Sequence, residues 1–133
     1  MESERKFIGF DLGAESGRCI VATLKDQKIV LDEVHRFTTY NVQYEKGFHW
    51  DILAINKEII HALINAQKEF GPIFHGISVD TWGVDYVLLD AEDRILSYPY
   101  HYRDSRTDGM MEEAFKIVPK EIIYSKTGIQ FAQ

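Results

Sequence analysis

A short run of small and charged residues near the start of the chain has the composition of an anion-binding turn. Residues 11–18 read Asp-Leu-Gly-Ala-Glu-Ser-Gly-Arg and lie between two apolar segments. This pattern predicts a strand, a tight turn and a second strand, with Asp11 at the end of the first strand and with Gly13 and Gly17 permitting the turn. Backbone N–H groups in a turn can bind an anion, and a carboxylate beside them can hold Mg²⁺ directly or through water. Our first hypothesis is a corner that binds the phosphates and metal of a nucleotide.

The same residues also have ordinary structural interpretations. Asp11 can be a turn aspartate that accepts bonds from neighbouring N–H groups. Ser16 can donate to a phosphate oxygen, and Arg18 can pair either with a phosphate or with Glu15. The run is neither a P-loop nor a dinucleotide fingerprint, because no Lys-Ser/Thr pair follows the glycines and a strand, not a helix, is expected next.

A second polar break, residues 80–85, reads Asp-Thr-Trp-Gly-Val-Asp and falls between two apolar runs. Trp82 offers a flat face to the C–H face of a sugar ring, and Gly83 lets the backbone approach a ligand. Asp80 and Asp85 can accept hydrogen bonds from hydroxyl groups. The alternative is a strand–turn–strand corner with Trp82 in the core, and the stretch alone favours that alternative.

A third polar stretch, residues 98–107, reads Tyr-Pro-Tyr-His-Tyr-Arg-Asp-Ser-Arg-Thr. Clustered Tyr, Arg and Asp residues suit the recognition of a polar ligand. An internal Arg–Asp pair that fixes the loop would explain the same residues, and Asp104 or Ser105 can cap the following helix.

Bulk properties narrow the class of protein. The chain has 133 residues, 45% of them hydrophobic, which predicts one globular domain. Its net charge of −6 argues against nucleic acid or an anionic membrane surface as a partner. A single cysteine, Cys19, and the lack of a signal-like or bilayer-length apolar run predict a soluble cytoplasmic protein. Five scattered histidines predict no zinc site.

Hydrophobic periodicity predicts a mixed α/β fold. Three strands at residues 7–11, 18–24 and 29–38 form an antiparallel meander, with a bulge near residues 32–33. An exposed loop at 40–48, with a short strand at 48–50, leads to a helix at 52–70 that begins after the N-cap Asp51. The remaining elements are a buried strand at 73–79, a strand at 84–89, a return strand from 95 and helices at 107–117 and 119–128. This order predicts a mixed sheet with flanking helices.

Taken together, four segments resemble the FGGY carbohydrate kinases of the actin/hexokinase/Hsp70-like superfamily, and within them the rhamnulokinase branch. The segments are residues 11–18, 77–85, 102–107 and 127–131, and the resemblance runs over nearly the whole chain. It implies a ribonuclease-H-like fold in which two such domains clamp ATP-Mg²⁺ and a sugar. Residues 1–133 would then be the N-terminal part of the first kinase domain, without the second domain.

The resemblance also implies a reaction and a set of site residues. ATP would phosphorylate L-rhamnulose to L-rhamnulose 1-phosphate, and Mg²⁺ would lie near Asp11. The ATP phosphates would be held by five residues of the first turn: Ala14, Glu15, Ser16, Gly17 and Arg18. The substrate contact falls on Gly83, with Trp82 and Tyr102 as further sugar-facing residues. Glu15 departs from the family pattern, in which a small residue is more usual.

The family places its catalytic aspartate and its adenosine pocket in later segments, so we predict that the 133-residue chain alone is catalytically inactive. Two alternatives remain open. One is a kinase for another ketose, such as xylulose or fuculose. The other is a nucleotide-dependent switch or chaperone on the same scaffold, which would not need Trp82, Gly83 and the Tyr102 loop together. The oligomeric state is not predicted.

Overall fold

Six strands and three α-helices lie within the described residues, and most of them follow the hydrophobic pattern. The computed structural model describes residues 4–131. The elements are β1 (Arg5–Leu12), β2 (Ser16–Lys25), β3 (Lys28–Thr38), β4 (Asn41–Tyr44), β5 (Gly47–Trp50), α1 (Ile52–Phe70), β6 (Gly76–Thr81), a 3₁₀ helix (Ser105–Thr107), α2 (Met110–Ile117) and α3 (Lys120–Thr127).

A four-stranded mixed sheet carries the fold. Its strand order is β3-β2-β1-β6, with β1 antiparallel to β2, β2 antiparallel to β3, and β6 parallel to β1. The meander and the helical crossover to a parallel strand are therefore confirmed. The predicted bulge is confirmed as well, because the partner of Cys19 is His35 and the partner of Ile20 is Glu33, which leaves Val34 as the extra residue.

The core forms where α1 covers the sheet. The side chain of Asp51 accepts the N–H of Ala54 at 3.0 Å, so the predicted N-cap is confirmed. Gly71, at φ 83°, follows the last turn of α1. The buried cluster consists of four strand residues and two helix alanines: Ile8, Phe10, Cys19, Val21, Ala62 and Ala66. The small alanine side chains let the helix lie close to the strands, which holds the end of β1 on a rigid support.

The prediction for residues 40–48 was wrong in part. They form β4, which pairs with β5 in a two-stranded antiparallel sheet, instead of an exposed loop. All four residues of β4 are exposed, so the segment lacks the buried alternating face that marks a strand in a sequence. The short strand expected at 48–50 is confirmed as β5.

The strands predicted at 84–89 and from 95 do not form. In the described part of the chain this region contains a single β-bridge, between Leu89 and Ile95. The side chain of Asp90 closes the connection by accepting the N–H groups of Glu92 and Arg94, both at 2.9 Å. Apolar residues such as Leu88 stay about half exposed, and a lone two-residue pairing without a sheet beside it does not propagate into strands.

The remaining predictions needed adjustment. β6 starts three residues later than predicted and forms the edge of the sheet. The prediction that this strand is buried was wrong, since Ile77 and Val79 are 59% and 58% exposed. The helix predicted at 107–117 is divided into the 3₁₀ helix and α2 by Gly109, at φ 74°. None of the helices in residues 4–131 is long and apolar enough to cross a membrane.

Candidate functional site

The turn between β1 and β2, residues 13–15, presents free backbone donors. Gly13 N–H donates to the carbonyl of Ser16 at 2.9 Å and closes the turn. Thr39, which directly follows β3, stabilises the turn: its N–H donates to Glu15 O at 3.1 Å, and its hydroxyl donates to Gly13 O at 2.7 Å. Within residues 4–131 the N–H groups of Ala14 and Glu15 have no hydrogen-bond acceptor. Two adjacent free N–H groups on a braced turn can bind an anion.

Both glycines of this hairpin are required by packing. A Cβ on Gly17 would lie 2.3 Å from the ring of Phe37, and a Cβ on Gly13 would lie 2.9 Å from Ser16 O. These contacts are too short for any side chain, so the glycines let the hairpin close tightly against β3. The Cα of Gly17 therefore faces the Phe37 ring, and the missing side chain lets the hairpin pack against β3.

Asp11 and Arg18 form a cross-strand ion pair. They are directly opposite in the β1–β2 ladder, and Asp11 Oδ2 lies 2.8 Å from Arg18 Nε and 2.7 Å from a terminal guanidinium nitrogen. The alternatives in which Asp11 bonds only turn N–H groups, or Arg18 pairs with Glu15, are wrong. Glu15 is exposed and makes no ion pair with any described residue, so its carboxylate takes no part in the Asp11–Arg18 pair.

The strand register places a second acid beside Asp11. Asp80 is the partner of Asp11 on β6, and Arg36 is the partner of Arg18 on β3, so four charged residues form one row across the sheet. Residues opposite one another in a sheet share a face. The sequence interpretation had grouped Asp80 with the sugar-facing residues, whereas the register places it next to Asp11, near the β1–β2 turn.

An aromatic wall follows β6. It consists of Trp50, Trp82, His101 and Tyr102. The centroid of the Trp50 ring lies 4.4 Å from that of Trp82 and 4.0 Å from that of His101, and His101 stacks on Tyr102 at 4.5 Å. Trp50 is 2% exposed, while Trp82 and Tyr102 are partly exposed. The wall thus has a buried member at its centre and two members that face outward.

Asp85 joins the two tryptophans. Its Oδ2 accepts the indole N–H of Trp50 at 2.6 Å and the indole N–H of Trp82 at 2.7 Å. The predicted role of Asp85 as an acceptor is therefore partly used within the chain. The alternative in which Trp82 belongs to the core does not describe it, because Trp82 remains partly exposed at the edge of the wall.

His101 is a buried neutral member of the wall. Its ring Nδ1 accepts the backbone N–H of Arg103 at 3.0 Å, and the backbone N–H of His101 donates to Phe48 O at 2.9 Å. Desolvation lowers the pKa of His101, and the positive charge of Arg103 lowers it further while Asp85 opposes the shift. The neutral ring therefore carries its proton on Nε2.

The loop at 98–107 is fixed by Asp104. Its two carboxylate oxygens accept the N–H of Phe48 at 2.7 Å and the N–H of Arg106 at 2.9 Å, and these bonds lower the pKa of Asp104. Asp104 caps the 3₁₀ helix, whereas α2 begins after Gly109 without a side-chain cap, so the predicted cap is confirmed only for the first of these two helices. Arg106 lies over the Tyr100 ring, 4.4 Å from its centroid. Loop stability thus accounts for Asp104 and Arg106, and Tyr102 remains the ligand-facing candidate.

Gly83 is not required by the described fold. A Cβ at this position would meet no atom within 4 Å, and its φ lies outside the left-handed region. The open space above its backbone is what a ligand needs in order to approach. Gly83 follows Trp82 directly, just after β6. The β1–β2 turn and the aromatic wall therefore lie at the ends of two neighbouring strands, β1 and β6.

A cavity lies on the β4–β5 side of the 98–107 loop. It has a volume of about 780 Å³ and is lined by residues that include Tyr44, His49, Tyr98, Tyr100 and Arg106. None of the residues predicted to bind ATP, Mg²⁺ or sugar lines it. The chemistry-bearing side chains are therefore on a separate surface.

Residues 6–133 match the family described as the FGGY family of carbohydrate kinases, N-terminal domain. The chain belongs to the FGGY family. The rhamnulokinases of Oceanobacillus iheyensis and Mannheimia succiniciproducens are 46% and 44% identical to it over 125 and 123 residues. These alignments cover 93% and 91% of the chain but only 26% and 25% of the two relatives, so the chain spans about a quarter of their length.

Solved sugar kinases share the fold. A gluconate kinase from Lactobacillus acidophilus superposes with a TM-score of 0.75 at 17% identity, over 96% of this chain and 25% of its own. A xylulose kinase from Rhodospirillum rubrum superposes with a TM-score of 0.70 at 21% identity, over 90% and 25%. The predicted actin/hexokinase-like fold is confirmed.

Sequence reasoning missed three residues that build the site. Thr39, Trp50 and His101 brace the turn or the wall through contacts with distant segments. The signal available for Trp50 was its position directly before Asp51, the N-cap of α1. Nothing comparable marked Thr39 or His101.

Proposed function

We propose that this chain is the N-terminal part of the first domain of a cytoplasmic kinase that uses ATP to phosphorylate L-rhamnulose to L-rhamnulose 1-phosphate. The observation that carries the proposal is the pair of free N–H groups, on Ala14 and Glu15, beside the Asp11–Arg18 ion pair. The substrate follows from the rhamnulokinases at 46% and 44% identity.

The phosphate side fits the tail of ATP. The N–H groups of Ala14 and Glu15 donate to phosphate oxygens, and the Ser16 hydroxyl and the Arg18 guanidinium complete the donor set. Gly17 keeps this turn tight against β3. Glu15 suits the site because its own carboxylate is exposed and only its backbone is needed.

The residues present also fit Mg²⁺. This ion keeps several waters and binds through one or two carboxylates together with substrate phosphates. Asp11, with Asp80 beside it in register, offers that number of carboxylates, and residues 4–131 contain no cluster of three or more metal-binding side chains. When bound, the ion neutralises the charge of the transferring phosphoryl group.

The sugar side is open where the ketose would approach. Gly83 leaves free space above the backbone, and Trp82 and Tyr102 present partly exposed rings to the C–H faces of a sugar. This chain's residues thus bind and orient the two substrates. Phosphoryl transfer depends on that orientation and on a base for the attacking hydroxyl, and we assign no residue of this chain to the base.

The test uses the full-length protein that carries this chain and the 133-residue chain alone. ADP production is measured with ATP, Mg²⁺ and, in turn, L-rhamnulose, xylulose and fuculose. We expect the full-length protein to have its highest kcat/KM on L-rhamnulose and the chain alone to be inactive. Equal or better turnover of another ketose would overturn the substrate assignment. ATP hydrolysis without dependence on any ketose would indicate the switch.

A further inference from the structure

We propose that Trp50 and Asp85 are positioning residues of the ketose site, which hold Trp82 and Tyr102 in one wall. The inference rests on the proposed function, since it takes Trp82 and Tyr102 as the sugar-facing rings. Neither Trp50 nor Asp85 needs to touch the sugar in order to act in this way.

Asp85 fixes the orientation of Trp82. A single oxygen, Oδ2, accepts both indole N–H groups at 2.6 and 2.7 Å, so the Trp82 ring is tied to Trp50 through one atom. Hydrogen bonds to a charged acceptor are shorter and stronger than neutral ones. Trp82 lies just after the end of β6 in an irregular segment, so these side-chain bonds and the ring contact provide the restraint that a sheet ladder would otherwise give.

The backbone between the two residues is bent toward this contact. Val84 has φ 70°, a conformation that a β-branched residue rarely adopts. The bend returns the carboxylate of Asp85 to the side chain of Trp82, three residues earlier. Backbone strain of this kind persists where surrounding contacts enforce it, and here the two indole bonds supply them.

Trp50 anchors both sugar-facing residues to β5. Its side chain is 2% exposed, its backbone N–H donates to Pro99 O at 3.0 Å, and its ring stacks on His101, which in turn stacks on Tyr102. The segment after β6 and the loop at 98–107 therefore meet on one buried indole. A shift of Trp50 would move both sugar-facing residues of the wall, Trp82 and Tyr102, together.

The test is a double-mutant cycle in the full-length protein. Asp85→Asn weakens the shared acceptor, and Trp82→Phe keeps an aromatic face while removing the indole N–H. If Asp85 acts through Trp82, Asp85→Asn raises KM for L-rhamnulose about threefold to tenfold, the range expected for one hydrogen bond, and leaves KM for ATP unchanged. In the Trp82→Phe background the same substitution causes a smaller increase, because only the bond to Trp50 is left for it to weaken.

Asp93→Asn is the matched control, because it removes the same charge from the exposed turn that follows and because asparagine tolerates the φ of 60° found there. It leaves both KM values unchanged. Trp50→Phe provides a second test if Asp85→Asn fails to fold, and it raises KM for the ketose alone.

Two results would overturn the inference. An equal increase in KM with and without Trp82→Phe would mean that Asp85 does not act through Trp82. An unchanged ketose KM in both Asp85→Asn and Trp50→Phe would mean that neither residue positions the wall. Failure of the proposed function is distinct, since it would appear in the unsubstituted protein as the absence of ketose-dependent turnover.

Discussion

Arg18 lies directly across the β1–β2 ladder from Asp11, and two of its guanidinium nitrogens are 2.7 and 2.8 Å from the same carboxylate oxygen. The two side chains are 43% and 46% exposed. A pair this exposed contributes only about 0–1 kcal/mol to stability, because water screens it. Each group can therefore exchange its partner for a phosphate or a hydrated cation at little cost.

The first prediction concerns Asp11. Asp11→Asn changes the free energy of unfolding by less than about 1 kcal/mol. It lowers kcat/KM of the full-length protein by about a hundredfold or more, because the Mg²⁺ that neutralises the transferring phosphate loses its carboxylate partner. Urea unfolding and steady-state kinetics measure the two effects. Glu33→Gln, which breaks the exposed Glu33–Arg36 pair on the same sheet, is the control. Equal kinetic losses in both variants would contradict a metal role for Asp11.

The second prediction concerns Gly17. Gly17→Ala destabilises the chain by about 1–3 kcal/mol, since the new methyl group overpacks against the Phe37 ring. Gly9→Ala on β1 is the matched control, because the nearest atom to its Cβ is 4.0 Å away. Thermal unfolding of both variants checks the difference. Equal melting temperatures would show that the hairpin does not depend on close packing of Gly17 against β3.

The third prediction concerns Gly83. Gly83→Ala leaves the melting temperature nearly unchanged, because its Cβ meets no atom within 4 Å. In the full-length protein it raises KM for the ketose about tenfold, the effect expected from a clash with bound substrate. KM for ATP serves as the internal control and stays constant. A variant that melts early would instead assign Gly83 a structural role.

The accuracy of the sequence interpretation depended on how local each signal was. The meander, the bulge and α1 were predictable because apolar periodicity and the Asp51 cap lie within the segments themselves. The strands at 84–89 and from 95 failed because apolar composition does not show whether a partner strand is available, and here only the Leu89–Ile95 bridge forms. Strand β4 was missed because its exposed residues carry no buried face.

The candidate site divides in the same way. Asp11 could be placed at the end of β1 from its position alone, since it closes an apolar run. Its ion pair with Arg18, in place of Glu15, follows from strand register, which depends on how tightly the turn closes. The use of Asp85 by Trp50 could not be foreseen, because the two residues are 35 positions apart in the chain and meet only after β5 and the segment after β6 pack together.

The fourth prediction concerns Cys19. Burial raises the pKa of this thiol to about 11, and the residue has no exposed surface. At pH 8 roughly one thiol in a thousand would be ionised, and it would also be inaccessible. We expect a thiol reagent to label the folded chain negligibly and to label one thiol per chain in guanidinium chloride. Rapid labelling under native conditions would show that α1 and β2 separate readily.

The last prediction concerns the pH dependence of stability that His101 causes. Because burial lowers its pKa below the ordinary value of 6.5, the folded chain binds fewer protons at this ring than the unfolded chain does. The free energy of unfolding therefore falls as the pH drops from 7 through 6.5, and this contribution levels off below the lowered pKa of the folded state. His101→Phe keeps a ring against Trp50 and removes the titration, so the pH profile of the variant is flatter over this window. An identical slope in the His101→Phe variant and the unsubstituted chain would mean that the ring does not titrate differently in the folded state.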